Sequence, residues 1–426
     1  MQLIIHPPRS TWRILLQRPY SDNREVMRSV QAVLDAVRNE GDEAVRRFTR
    51  QFDKADLTSF WVTDEEFAAA EAEVPAALKE AIALAKQNIE TFHAAQGSER
   101  EAVETVPGVR CWRKSVGIAR VGLYIPGGSA PLFSTILMLA VPAVLAGCGE
   151  IVLCTPCNSE GSLHPAILYT AQLCGIRKIY KAGGAQAIAA LAYGTETLAA
   201  VDKIFGPGNQ YVTAAKQLVQ MEGVAIDMPA GPSEVCVLAD ETASPAFVAA
   251  DLLSQAEHGP DSQVLLVTTR ENWAEEVLEA VEAQRLLLPR AEIARQALQH
   301  SKVLVLPSME EAMELVNQYA AEHLIISCRE AERWAGQVQQ AGSVFIGPYS
   351  PESAGDYASG TNHTLPTNGF ARAYSGVSLD SFVKKITFQQ LSRDGLHRIG
   401  PAVMAMAEAE GLQAHAEAVR IRLSGE

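Results

Sequence analysis

The spacing of apolar residues along this chain changes character three times. In the N-terminal quarter Leu78, Ile82, Ala85, Ile89 and Phe92 recur at steps of four and three, the stripe of one buried helix face. Thr63 followed by Glu66 has the capping-box pattern that opens a helix. From residue 116 onward, short β-branched runs alternate with alanine-rich stretches, at 116–124, 132–146, 151–154, 166–174, 185–193 and 204–205. A second set follows, with strands at 235–238, 264–268, 303–306 and 323–327, helices at 247–258 and 310–319, and a long Glu-rich helix between 268 and 303. Such alternation predicts βαβ units on largely parallel sheets. Two similar α/β halves in succession are what a distant internal duplication would leave. After Phe345 the regularity stops for some twenty residues, through SPESAGDYASGTNHTLPT, and a structureless stretch of that length inside a compact domain is usually functional. From Ser381 the pattern predicts helix to the end, broken at Gly411.

Composition narrows the class. The 426 residues amount to about three domains at roughly 150 residues each. With 36 Lys and Arg against 50 Asp and Glu the formal charge is −14, which removes any general attraction to phosphate backbones or anionic lipid. Neither nucleic acid nor a membrane is therefore expected as a partner. The uncharged stretch 121–149 looks at first like a membrane span, but Pro126, Pro131, Pro142 and several glycines break it into a strand, a turn and a buried helix. Pro7, Pro8, Arg9, Arg13 and Arg18 interrupt the first apolar run before it could form the core of an export signal. The seven cysteines (Cys111, Cys148, Cys154, Cys157, Cys174, Cys236, Cys328) are an odd number spread over a long chain, which fits reduced thiols and a cytoplasmic location.

Glycine marks the turns after the strands of the first half: Pro126-Gly127-Gly128, Gly183-Gly184 and Gly206-Pro207-Gly208-Asn209. Glycine there lets backbone N–H groups approach an anion at a helix N-terminus. None of these turns is the G-x-G-x-x-G fingerprint, however, and ordinary tight connections need glycine as well. Gln255 and His258 lie three apart on one face of a helix that Gly259-Pro260 stops, a pair able to face a metal or simply to end a helix whose dipole favours histidine. Glu322-His323 sets an acid and an imidazole at the start of the strand HLIIS, suited to general acid/base work or merely polar residues ahead of a strand. Asp356 and His363 fall in the irregular stretch, as ligands or as turn formers, while Glu410 and His415 flank Gly411, where a solvated helix surface is the plainer account. The pair Cys154-x-x-Cys157 has no second pair to complete a zinc site, and no G-x-S-x-G elbow, Walker loop or H-E-x-x-H helix is present.

Seven segments, GLYIPGGSAPLFST, GGAQAIAALAYGT, DKIFGPGNQYVT, DMPAGPSEV, DLLSQAEHGPDSQ, EHLII and SPESAGDYASGTNHTLPT, resemble in order the motifs of histidinol dehydrogenases, and the likeness runs over nearly the whole chain. The resemblance implies a zinc-dependent, NAD-dependent, four-electron oxidation of L-histidinol through L-histidinaldehyde to L-histidine, the last steps of histidine biosynthesis. On the family pattern Gln255, His258, Asp356 and His415 hold the zinc, which orients the substrate more than it activates water. His323 takes the proton of the alcohol and later of the aldehyde hydrate, and Glu322 activates the attacking water. Regular strand alternation would point these neighbours apart, so the backbone there is expected to be irregular. Ser233, His323, His363 and Glu410 are the implied substrate contacts beside the zinc ligands, and Tyr124, Gln186 and Asn209 the implied NAD contacts.

The implied fold is α/β, with two incomplete Rossmann-like domains of parallel-sheet βαβ units plus helical N- and C-terminal elements. Its parts are an arm at 1–22, a discontinuous larger domain of 23–122 and 235–376 carrying the catalytic residues, an inserted NAD-side domain at 123–234, and a C-terminal helical dimerisation tail at 377–426. A homodimer is implied too, with His415 and Glu410 serving the neighbouring subunit. Three other readings keep part of the pattern: a zinc- and NAD-dependent dehydrogenase of another amino alcohol or hydroxy acid, a pair of oxidations through a cysteine thiohemiacetal, and a two-lobed solute-binding protein, which would need neither an EH pair nor a metal set.

Overall fold

The computed structural model describes residues 1–19, 24–97, 101–127, 131–229 and 231–425. Gly128 of the first glycine turn and Ala230 of DMPAGPSEV lie outside the described residues. Two parallel sheets carry the chain, and they share one strand order. The smaller runs, edge to edge, Ile179–Lys181, Glu150–Thr155, Arg120–Tyr124, Lys203–Phe205, Ala225–Ile226. The larger runs Gln2–Ile5, Lys302–Val305, Gln263–Thr268, Glu234–Ala239, His323–Ser327, Ser343–Ile346. With the N-terminal edge strand set aside, each sheet has its own strands in the order third, second, first, fourth, fifth, the first five of a Rossmann sheet. The expected pair of incomplete Rossmann-like units is what the chain forms.

Burial explains why these segments were legible. Glu234–Ala239 and Gln263–Thr268 are buried at every position, as parallel strands covered by helices on both faces must be. The charge-free stretch becomes the strand Arg120–Tyr124 and the helix Phe133–Leu145, buried from Ser134 to Ala143. Among the described residues no helix is long and apolar enough to cross a membrane. The Thr63–Glu66 capping box forms in both directions. Of the predicted stripe on Ala76–Ala94, Ile82, Ala85 and Ile89 are buried, but Phe92 is exposed and His93 takes the last buried place. Val30, Leu34, Val37, Val45 and Ile89 share one core with the smaller sheet, so the N-terminal helices pack on the unit that follows them.

Three expectations are corrected. The arm expected to be helical begins with a strand, Gln2–Ile5, paired along its length with Lys302–Val305. Residues 116–124 are not one strand: Val109–Gly117 belongs to an antiparallel sheet with Val103–Val106 and Val383–Leu391, and only Arg120–Tyr124 enters the parallel sheet. The helix expected from Ser381 starts at Arg393, because Val383–Leu391 is a strand whose Phe388 stacks on Trp112 across the pair, ring centroids 5.4 Å apart. Its β-branched and aromatic residues suit a pleated pairing better than a helix. Gly411, at φ 75°, does separate the helices Arg393–Ala409 and Gln413–Ser424.

Candidate active site and metal centre

The helix Pro245–Ala256 returns the chain from the carboxyl end of Glu234–Ala239 to the amino edge of the larger sheet, where His323–Ser327 begins. Gln255 in its last turn is fully buried, with Nε2 2.9 Å from His323 Nδ1 and 3.3 Å from the Glu234 carbonyl oxygen. Ala320 ahead of the strand is left-handed, at φ 56°, and the regular strand starts only at His323. This is the irregularity the EH pair required: Glu322 Oε2 lies 3.7 Å from His323 Nδ1. The same Oε2 accepts the Glu234 backbone N–H at 2.8 Å, which fixes the carboxyl.

The stretch expected to lack structure contains a short helix, Glu352–Tyr357, and its spacing puts Glu352 and Asp356 on one face. Together with His258 they bring one ligand atom each to within 4.8 Å of one another. Asp356 Oδ1 is 3.5 Å from His323 Nε2. Four buried atoms here, Gln255 Oε1, His323 Nε2, Glu352 Oε2 and Asp356 Oδ1, have no hydrogen-bond partner. Buried polar groups are ordinarily paired, so such a concentration of unpartnered nitrogen and oxygen donors fits a bound divalent cation, Zn²⁺ by its donor chemistry. Glu352 was not singled out from the sequence, although its four-residue spacing from Asp356 was visible.

The electrostatics agree. Burial pushes Glu322 up to about 8, against the pull of His323 and the Glu234 N–H, and pushes Glu352 up to about 8 as well. Burial alone would lower His323, but the Glu322, Asp356 and Glu352 carboxyls outweigh it and raise the imidazole to about 10. Burial works against ionised Asp356 too, yet His323, His363 and His258 hold it below the usual carboxylate range. His258 and His363 are lowered by burial. One turn before Gln255, burial lifts Asp251 to about 7. Carboxyls so crowded are what a dication would relieve.

His363 joins the two halves. Its Nδ1 lies 2.8 Å from the Asp356 carbonyl oxygen and its Nε2 3.2 Å from Thr135 Oγ1, in the first turn of Phe133–Leu145. Asn362 Nδ2 donates to the Met138 carbonyl of the same helix at 2.6 Å. Ser233 immediately precedes Glu234, and its carbonyl accepts the Gln263 N–H. Tyr124, Gln186 and Asn209 all line one cavity of about 1180 Å³ at the carboxyl edge of the smaller sheet. There the Tyr124 hydroxyl accepts the Gly184 N–H at 3.1 Å, and burial pushes that hydroxyl up to about 12. Gln186 is 1% exposed with both amide atoms unpartnered. Asn209 caps Gln210–Met221 through the N–H groups of Tyr211 and Val212. Glu410 and His415 stand exposed on the C-terminal helices, outside the His258, Glu352 and Asp356 group. All seven cysteines are free; Cys154 is buried in its strand, and Cys157 lines the cavity.

An acid–imidazole pair beside residues able to hold a cation, in a fold whose other sheet opens a cavity at its carboxyl edge, is the arrangement of a metal-dependent dehydrogenase. Comparison with known proteins makes this particular: the chain belongs to the histidinol dehydrogenase family, whose model, described as histidinol dehydrogenase, matches residues 16–423. It is 60% identical over 423 residues to the histidinol dehydrogenase of Bacteroides fragilis, covering 99% of each. Identity to the enzyme of Escherichia coli is 53% over 415 residues, 97% of this chain and 95% of that one. The crystal structure of histidinol dehydrogenase from Elizabethkingia anophelis matches with a TM-score of 0.97 at 57% identity, covering 99% of this chain and 98% of that chain.

Proposed function

We propose that Glu322 and His323 serve both oxidations of one substrate, L-histidinol to L-histidinaldehyde and then to L-histidine. As a histidinol dehydrogenase-family chain, the protein is an oxidoreductase of histidine biosynthesis that uses Zn²⁺ and NAD. Hydride leaves an alcohol carbon only as the hydroxyl proton departs, and an aldehyde must be hydrated before it can give up a second hydride. His323, braced at Nδ1 by Gln255 and facing Asp356 at Nε2, would take the proton in each oxidation once a bound dication offsets the carboxyls that raise it. Glu322, lifted toward neutrality by burial, is a stronger base when ionised than an ordinary carboxylate and activates the attacking water. Gln255, His258 and Asp356, with Glu352 in reach, would hold the Zn²⁺, which when bound supplies a Lewis-acid anchor for the substrate's nitrogens.

Ser233 and His363 flank the substrate's polar end. Tyr124, Gln186 and Asn209 contact NAD, a reading supported by the unpartnered Gln186 amide in the cavity. Glu410 and His415 act across a homodimer, completing the partner's site. Supporting this are their exposure away from the cluster and the exposed apolar residues Val403, Met406, Leu412 and Ile421 on the same helices. A cytoplasmic location accords with seven free thiols.

The unpartnered buried donors around the EH pair carry this reading. Its test is NADH formed per L-histidinol consumed by zinc-loaded protein, with a chelated sample alongside. The wild type yields two NADH per histidinol and loses activity with its metal. Glu322→Gln spares alcohol oxidation more than aldehyde oxidation, because only the second needs an activated water. Equal loss of both steps would sink the division of roles.

A further inference from the structure

In a dinucleotide-binding sheet, an acid at the end of the second strand takes the hydroxyls of the adenosine ribose. Here the second strand, Glu150–Thr155, runs into Pro156 and Cys157, and its end carries no acid of its own. An acid reaches the place from elsewhere in the chain. Asp53 closes the helix Asp42–Phe52 and lies against the carboxyl ends of the second and third strands. The contacts at Gly183 locate it: a Cβ there would stand 2.5 Å from Pro156 Cβ and 3.4 Å from Asp53 Oδ1. Asp53 lines the cavity that Tyr124, Gln186 and Asn209 share, and its Oδ2 is buried without a hydrogen-bond partner. Burial holds its carboxyl up to about 6 despite the Gly183 N–H. Glu66, also in the cavity lining, is already engaged by Lys181 and the Thr63 N–H.

We propose that Asp53 is the nucleotide-specificity residue, binding the adenosine ribose diol of NAD and excluding NADP. The inference rests on the NAD placement proposed above. A carboxylate can only accept, and a vicinal diol offers two donors. A 2′-phosphate in the same place would set a dianion against a carboxylate partly withdrawn from water.

The experiment measures calorimetric affinities of zinc-loaded, histidinol-free protein for NAD, NADP and the NAD analogue lacking the adenosine 2′-hydroxyl. The wild type binds NAD more tightly than either of the others. Asp53→Asn weakens NAD by about tenfold, the loss of a charge-assisted hydrogen bond. It also raises the NADP-to-NAD affinity ratio and removes most of the penalty for the missing hydroxyl. Equal affinity of the wild type for NAD and the deoxy analogue overturns the proposal, and so does one common factor across all three ligands in the variant. The wild-type comparison can overturn the proposal even if the variant fails to fold. With Gln186→Ala alongside, loss of NAD affinity there but not in Asp53→Asn overturns this inference alone, whereas no loss in either overturns the NAD placement as well.

Discussion

Replacing Arg18 with alanine withdraws the buried countercharge behind the acid of the EH pair. The Arg18 guanidinium donates to both oxygens of Glu234 at 2.9 and 2.8 Å and to the Tyr319 carbonyl at 2.8 Å, and it lies 3.9 Å over the Tyr319 ring. The two side chains are 14% and 2% exposed. At an effective dielectric near 20 and about 4 Å, the charges attract by about 4 kcal/mol. Removing one partner of a buried pair costs about 3–5 kcal/mol, because the other charge stays desolvated. Arg18→Ala is therefore expected to destabilise by about 4 kcal/mol. Glu234→Gln is expected to cost about half that, since its amide oxygen can still accept from Arg18 and from the Asn368 N–H. The double variant should fall short of the sum by about 2 kcal/mol. Urea unfolding of metal-free protein, followed by the fluorescence of tryptophans that include Trp12 in the same arm, measures all three. The effect reaches the active site, because Glu234 already raises Glu322 and its backbone N–H holds that carboxyl. An uncompensated Glu234 shifts the rising limb of the kcat/KM profile to higher pH. A cost below about 1 kcal/mol for Arg18→Ala, with additive single variants and an unmoved pH profile, would refute the reasoning.

Two further expectations concern the metal and the acids around it. His258→Ala should weaken zinc binding by about a hundredfold and Glu352→Gln by about tenfold, read by competition with a chromophoric chelator; an unchanged affinity in Glu352→Gln removes that residue from the ligand set. Asp251, raised by burial from 3.8 to about 7, favours its protonated form in the folded state. Its stabilising contribution is therefore complete below about pH 4 and is lost as the pH rises through about 7, a span of up to about 4 kcal/mol. Asp251→Asn should flatten the stability profile of metal-free protein across that window and leave the variant the more stable form at pH 8; thermal melts with unchanged slopes would contradict this.

What was legible in the sequence follows from where each element is buried. The central strands are covered on both faces and read as continuous apolar runs, so 235–238 and 264–268 lie inside the observed strands. Val383–Leu391 is exposed or half-buried throughout, and without a buried face its pattern did not distinguish strand from the helix after it. The six residues of Glu352–Tyr357 contain too few apolar positions for any period, which is why the stretch read as loop and Glu352 went unnoticed. The EH pair and the Gln255, His258 pair stood out as polar residues at the ends of apolar elements. Their meeting could not be read, because it depends on where a helix returns and on the left-handed turn at Ala320, both set by long-range packing.

The shared strand order suggests why the two halves are used at opposite edges. At the carboxyl edge of a parallel sheet the following helices present their N-termini, whose free N–H groups favour anions such as a pyrophosphate. The nucleotide-sized cavity lies there, against Gly184–Tyr193 and Gln210–Met221. At the amino edge helices arrive by their C-termini, whose carbonyls favour cations. Gln255 and His258 close Pro245–Ala256 at that edge of the larger sheet, and Asp356 sits in the last turn of Glu352–Tyr357. One topology used twice thus sets helix N-termini at the proposed nucleotide site and helix C-termini at the proposed cation site. The hydrogen bond between His363 and Thr135 ties the segment that carries Asp356 to the helix that starts beside the cavity-lining Pro131. A single parallel sheet carries the two polarities at opposite ends, so a chain that must bring a dinucleotide and a metal-held substrate together gains by setting the carboxyl edge of one sheet against the amino edge of another.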